Sequence, residues 1–348
     1  MSLSLRLCDF ILEVKESRDI VVLQLSDPQI IDAMQKRSVD RLTPKEEEYW
    51  ATDKIEERCY GYIREVVFRV KPDFIFISGD LVYGQFDDKG TSLRSFVNFM
   101  DSFCVPWAPI WGNHDNESVK GVAWQCEQLE KAEYCLFKKG DVTGNGNYTV
   151  GIVQGNELKR VFVMLDTHGC LCSPGLKQDQ IEWFTTNMNK IHSITKNVKF
   201  SMVMHIQPDI FKDAYSQYGF TNENTKNNPI DIDNHINKRE TDFGYIGGDL
   251  KTVWNSSLIN WLDLKQLGLD SIFVGHEHAN SASVVYQGIR FQFGQKSSAY
   301  DRCNYITSEG KIVTSYLEVG EPVVGGTVFS IKEKTGEIVN AHIDLCKK

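Results

Sequence analysis

Apolar runs with the β-branched character of strands alternate with helical spacing through most of the chain, and strand after strand ends on polar residues. Residues 19–25 (DIVVLQL) form a short apolar run that stops at Ser26-Asp27-Pro28, where proline ends the strand and the polar pair opens a loop. Over 52–70, Ile55, Cys59, Tyr62, Ile63, Val66, Val67 and Val70 recur at helical spacing until Lys71-Pro72, which predicts an amphipathic helix. Residues 73–78 (DFIFIS) read as a buried strand, and Gly79-Asp80 stands at its tip. A helix over 92–100 and a strand over 107–111 follow, the strand ending on Gly112-Asn113-His114-Asp115 before another helix. The alternation continues with a strand at 161–165, a helix at 180–191 and a strand at 200–204 that delivers His205. A helix over 258–267 then leads to the strand 271–274, after which comes Gly275-His276-Glu277-His278. Five times, a strand presents chemistry at its carboxyl end.

Past Ala282 the helices stop and short alternating runs take over, near 283–286, 288–293, 313–317, 327–331 and 338–343, separated by Gly-rich turns. No low-complexity linker or internal repeat divides the chain, so one α/β domain is expected over 18–346, with residues 1–17 as an N-terminal extension. The polar stretch 220–251, rich in Asn and Thr, is too long for a routine connection and is either functional or mobile. It begins just downstream of His205 and is expected to border any site there.

Composition narrows the function classes. A chain of 348 residues with 41% hydrophobic content can bury a large core. A formal charge of −9 argues against holding nucleic acid through a basic surface, since phosphate neutralisation needs clustered Lys and Arg. An acidic protein that handles anionic phosphate must offset its own field locally, and bound cations do so economically. The nine cysteines are odd in number and lack CxxC spacing, so neither a zinc knuckle nor a disulfide framework is expected. Cys170 and Cys172 are too close in sequence for an easy disulfide and lie beside Pro174-Gly175 in a predicted loop. The N-terminus is interrupted by Arg6 and Asp9 and lacks a small-residue cleavage site. A cytoplasmic location is therefore expected, or secretion if Met1-Ser2-Leu3 replaces a native leader, in which case Asn116, Asn147 and Asn255 are glycan acceptors by pattern. No stretch approaches the ~20 apolar residues of a membrane span.

The polar tips are carboxylates, amides and imidazoles without thiolates, which suits hard to borderline divalent cations and an open catalytic site rather than a closed structural zinc site. Singly, Asp27-Pro28-Gln29 and Gly79-Asp80 read as ordinary turns and a lone His as surface or core, Gly112-Asn113-His114-Asp115 reads either way, and Gly275-His276-Glu277-His278 favours a metal. Together and in order, each after a strand, they point to one metal centre at the strand edge where α/β sheets bind ligands. The glycines at 79, 112 and 275 are expected to permit the turns that aim the next side chain over the sheet.

These motifs resemble the calcineurin-like metallophosphoesterase superfamily, whose pattern is Asp-x-His, Gly-Asp, Gly-Asn-His-Asp/Glu, His and Gly-His-x-His, over roughly residues 20–302. Further phrases at 143–148, 164–169 and 288–297 are similar to a branch that includes purple acid phosphatases. The resemblance implies a four-layer αββα sandwich of two mixed β-sheets flanked by helices. It also implies two divalent or mixed-valence metal ions, of manganese, iron or zinc. One would take Asp27, Asp80 and His278 with Gln29, and the other Asp80, Asn113, His205 and His276. A hydroxide between ions about 3.5–4 Å apart would attack phosphorus in line. His114 would protonate the leaving oxygen or steady the charge on the phosphoryl oxygens, with Asp115 orienting its ring.

Two departures stand out. Position 29 is Gln where the pattern has His, and Gly79-Asp80-Leu81-Val82-Tyr83-Gly84 lacks the Asp-Arg-Gly ending of serine/threonine protein phosphatases. Tyr83 occupies the place of a purple acid phosphatase ligand, and a packing role is preferred for it over a phenolate ligand. His168 is read as structural, and the scattered tryptophans as core rather than a base-stacking platform. The expected substrate is a phosphate monoester, with diesters as a second class, and neither nucleic acid nor membrane is an expected partner. The alternative is a catalytically degenerate protein that binds metal or a phosphorylated ligand, a reading that Gln29 motivates and His114 with Asp115 opposes.

Overall fold

Apolar strands too hydrophobic to face water stack as two sheets in the computed structural model of the chain, which describes residues 7–35, 43–50, 55–168, 173–220, 229–247 and 253–346. The strands are β1 (Phe10–Val14), β2 (Ile20–Leu25), β3 (Phe74–Ile77), β4 (Trp107–Pro109), β5 (Tyr148–Gln154), β6 (Glu157–Met164), β7 (Lys199–Val203), β8 (Ile230–Asp231) and β9 (Phe243–Ile246). They continue with β10 (Leu269–Val274), β11 (Asn280–Tyr286), β12 (Ile289–Phe293), β13 (Cys303–Ile306), β14 (Ile312–Ser315), β15 (Glu321–Pro322), β16 (Gly325–Ile331) and β17 (Ile338–Leu345). The helices are α1 (Pro44–Trp50), α2 (Ile55–Val70), α3 (Thr91–Asp101), α4 (Val122–Lys131), α5 (Gln178–Ile194), α6 (Ile210–Ser216) and α7 (Trp261–Gln266).

Five strands form one sheet in the order β17-β16-β2-β3-β4, nine form another in the order β1-β5-β6-β7-β10-β12-β11-β9-β8, and β14-β13-β15 make a small third. Both large sheets are mixed. The pairs β2–β3, β3–β4, β6–β7, β7–β10 and β10–β12 are parallel, while β16–β2, β16–β17 and β11–β12 are antiparallel. The parallel strands carry the site, because their carboxyl ends all open on one edge.

Phenylalanines weld the sheets face to face. Phe76 on β3 lies 5.6 Å from Phe162 on β6 and 5.1 Å from Phe273 on β10, and Phe273 stacks on Phe329 of β16 at 5.1 Å. Helices cover the outer faces. Ile63 and Val66 of α2 and Phe96 of α3 share a buried cluster with the five-stranded sheet. Phe184 and Met188 of α5, Phe211 of α6 and Leu264 of α7 cluster with Phe200, Ile272 and Phe291 of the nine-stranded sheet. The four-layer α/β sandwich expected from the sequence is the observed architecture.

The differences have local causes. The helix expected over 258–267 begins at Trp261 because the Asn260 side chain accepts from the backbone of Leu262 at 3.2 Å and of Asp263 at 3.3 Å. Within the expected N-terminal extension, Phe10–Val14 form a strand of the large sheet. β1 pairs in parallel with β5 from Phe10 against Val150 to Val14 against Gln154, and Asp9 fastens its start by accepting from the backbone of Thr149 at 2.9 Å. Parts of the 220–251 stretch, Cys170, Cys172 and Gly169 lie outside the described residues. Asn147 is buried, its amide bonded to Thr143, Asp166 and Gln180, which leaves no room for a glycan there. No described helix is long and apolar enough to cross a membrane.

Candidate metal centre

The site begins where β2 and β3 run out of apolar residues but keep pairing. Asp27 donates its backbone N–H to Gly79 at 3.3 Å, Gln29 to Asp80 at 2.8 Å and Ile30 to Leu81 at 3.0 Å, so the two polar tips lie side by side. Both tips are bent sharply. Asp27, Gln29, Asp80 and His276 have φ of 49°, 47°, 53° and 71°, the left-handed region that costs a side-chain-bearing residue energy and concentrates at functional sites. His205 follows β7, and Gly275 donates to the His205 carbonyl at 3.1 Å, which holds the β10 tip against it.

Two of the motif glycines serve close approach rather than turning. A Cβ on Gly112 would overlap the Asp80 carboxylate, and one on Gly275 would sit 2.6 Å from the Ser78 carbonyl. Only Gly79, with φ of 96°, also needs glycine's conformational freedom.

The seven expected side chains converge, and their hydrogen bonds fix which atoms face inward. Asp27, Asp80 and His278 each offer a ligand atom, all within 4.8 Å of one another. His205 Nδ1 lies 2.8 Å from the Ser78 carbonyl, which can only accept, so Nδ1 carries the proton and Nε2 points into the site. There Nε2 meets two oxygens, Asn113 Oδ1 at 3.1 Å and Asp80 Oδ1 at 3.5 Å. His278 repeats the arrangement: Nδ1 donates to the Arg302 carbonyl at 3.0 Å, and Nε2 faces Asp27 Oδ1 at 3.2 Å. His276 Nδ1 lies 2.9 Å from Asn113 Oδ1. A lone pair aimed at an oxygen lone pair is repulsive unless a positive species sits between them.

The titration behaviour expresses the same demand. Burial works to raise Asp27, but the imidazoles of His278 and His205 outweigh it and bring the carboxyl down to about 2. Asp80 is likewise buried, and His205 and His114 hold it well below the usual carboxylate range. Burial would lower His205, yet Asp80 and Asp27 lift it to about 10, while burial and the neighbouring His205 push His276 down to about 3. A proton on His205 thus plays the part that a cation would take. The donor set fits divalent cations: carboxylates, an amide oxygen and imidazoles, of which His205 and His278 have their outer nitrogens anchored on backbone carbonyls.

His114 stands beside this cluster, its backbone N–H donating to Asp80 Oδ1 at 2.8 Å. Its ring partner differs from the one expected. Asp115 accepts from the backbone of Gly112 at 2.7 Å and of Val82 at 3.0 Å, stitching the β4 tip to the β3 tip. Glu117 holds the ring instead, 2.9 Å from His114 Nδ1, brought round by the 3₁₀ turn Asp115–Glu117. Tyr83 stacks on the His114 ring at 4.2 Å and meets Trp50 edge-on at 5.1 Å. His168 is fixed by Gln180 at 3.1 Å, as a structural histidine would be.

The Gln29 amide is held at both ends. Its Oε1 accepts from the buried Lys296 Nζ at 2.6 Å, and its Nε2 faces Asp80 Oδ2 at 3.3 Å and Asp301 Oδ2 at 3.4 Å. Glu117, Lys296 and Asp301 are the site residues that sequence reasoning missed. Glu117 was findable, since an acid three residues after His114 is within reach on a helical turn. Lys296 lies inside the phrase 288–297 noted in the sequence and Asp301 four residues past its end, but neither stands at a spacing that singles it out.

Comparison with known proteins shows the family. The calcineurin-like phosphoesterase family model matches residues 20–280, and the chain belongs to that family of phosphoric ester hydrolases. It is 25% identical over 239 residues to phosphatase DCR2 of Saccharomyces cerevisiae, covering 65% of this chain and 39% of that protein. An uncharacterized protein of Schizosaccharomyces pombe is 25% identical over 184 residues, 50% of this chain and 34% of its own length. The match thus spans well under half of either relative. Among solved structures, a dimetal phosphatase from Danio rerio aligns with a TM-score of 0.51 at 10% identity, over 94% of this chain and 98% of that one, a likeness of fold.

Proposed function

We propose that this chain hydrolyses phosphate esters, monoesters first and diesters as a second class, at a centre for two divalent metal ions. The observation that carries the reading is the pair of imidazole nitrogens, His205 Nε2 and His278 Nε2, turned by backbone carbonyls to face the carboxylates of Asp80 and Asp27. Asp27, Asp80 and His278 would hold one ion, and Asp80, Asn113, His205 and His276 the other. Such ions, when bound, neutralise phosphate charge and lower the pKa of water to supply the nucleophile.

The chain's own groups do the rest. Glu117 accepts from His114 Nδ1, which keeps Nε2 as the nitrogen turned to a leaving oxygen. His114 delivers its proton there, on the side of phosphorus away from the attacking water, which is the in-line course. Burial of the ring against Tyr83 keeps the imidazole in one orientation. The second reading, a binding protein without turnover, draws on the Gln29 amide, whose oxygen is engaged by Lys296. A held and oriented acid such as His114 has no use in that reading.

Hydrolysis of an aryl phosphate by manganese-loaded protein separates the two. The wild type should turn over, His114→Ala should lose about 10²–10⁴-fold in kcat while keeping its metal, and Asp80→Asn should lose both. A wild type no faster than either variant ends the enzyme reading.

A further inference from the structure

Resting on the two-metal reading, we infer that Lys296 is a positioning residue that turns the Gln29 amide oxygen away from the first metal position, leaving that ion fewer ligands and weaker binding than the second. Lys296 is 1% exposed, and a buried ammonium must find acceptors. Those it finds are Gln29 Oε1 at 2.6 Å and the Asp27 carbonyl at 3.1 Å. It has little freedom to look elsewhere. The next residue, Ser297, donates its N–H to the Ser26 carbonyl at 2.8 Å, and Ser26 donates back to Ser297 Oγ at 3.0 Å, which ties the segment to the β2 tip.

The other end of the amide completes the assignment. Gln29 Nε2 lies 3.3 Å from Asp80 Oδ2 and 3.4 Å from Asp301 Oδ2. Rotating the amide by half a turn would set its NH₂ against the ammonium and its oxygen against two carboxylates, so all three contacts reject the flipped form. In the observed form an N–H, which cannot ligate a cation, faces Asp80. The first position keeps Asp27, Asp80 and His278, against Asp80, Asn113, His205 and His276 for the second. The Lys296 charge also stands next to Asp27 and opposes a dication there, as any fixed cation beside a metal site does. The first ion is therefore the exchangeable one, and Lys296 sets how exchangeable.

Manganese binding, read by equilibrium dialysis with element analysis, tests this without any appeal to activity. The wild type should bind one ion at least about tenfold more tightly than the second. Lys296→Met frees the amide and should tighten the weaker ion by about tenfold or more, the range over which outer-shell partners act, and leave the tighter ion unchanged. Gln29→Ala, which alters no charge, guards against a folding failure in the lysine variant. It should leave the weaker affinity within about threefold, whereas a loss of tenfold or more would identify the amide oxygen as a ligand and overturn the inference. Two equal affinities that ignore Lys296→Met would also overturn it, with the two-metal reading intact. A wild type that binds no manganese would overturn both.

Discussion

In the proposed reaction, Glu117 is one of the carboxylates that set the pH range in which His114 works. Burial would lower the imidazole, but the carboxylates of Asp80, Glu117 and Asp301 raise it above its ordinary value. Below that raised pKa the ring carries the proton it donates, and above it the proton is gone and the rate falls. Removing one carboxylate lowers the pKa, so in Glu117→Gln the alkaline limb of kcat should move to lower pH. A pH–rate profile of the metal-loaded variant checks this, and a limb that stays in place would mean that Glu117 does not hold the catalytic ring. At this scale the sequence was readable where residue types repeat a spacing, as in Gly275-His276-Glu277-His278, and unreadable where no spacing singles a residue out, as at Lys296 and Asp301. Asp115 shows a subtler limit: adjacency to His114 suggested contact with the ring, yet both its oxygens go to backbone N–H groups.

Among elements, the parallel strands do most to build the site, because each apolar run of β2, β3, β4, β7 and β10 ends on the edge where its polar tip is wanted. That placement was legible, since a buried strand closed by Gly, Asn or Asp declares its own end. β1 was not, because the charges at Asp9 and Glu13 hide five residues that pair in full with β5. Deleting residues 1–17 should accordingly destabilise the protein, seen as a lower melting temperature, rather than leave it unchanged as loss of a loose extension would. The contact between sheets gives a sharper test. Phe76 is fully buried among Phe162, Phe273 and Phe329, so Phe76→Ala should cost about 3–5 kcal/mol in urea unfolding. Its manganese stoichiometry should be that of the wild type, because the side chain lies below the tips; a loss of metal with little loss of stability would contradict this division.

For the molecule as a whole, neither sheet holds the site alone. Asp27, Asp80 and Asn113 come from the edge of the five-stranded sheet, and His205, His276 and His278 from that of the nine-stranded one, so packing the sandwich is what assembles the centre. A chain of net charge −9 that buries two of its carboxylates side by side at one edge needs positive charge there, and the nitrogens of His205 and His278 face that spot. Diffraction from manganese-soaked crystals, recorded on both sides of the manganese absorption edge, tests this most directly. Two anomalous peaks are expected, both in contact with the Asp80 carboxylate, one also touching His278 and the other His205 and His276. No peak at the strand tips, or peaks that leave Asp80 untouched, would contradict the dinuclear centre and the hydrolysis built on it.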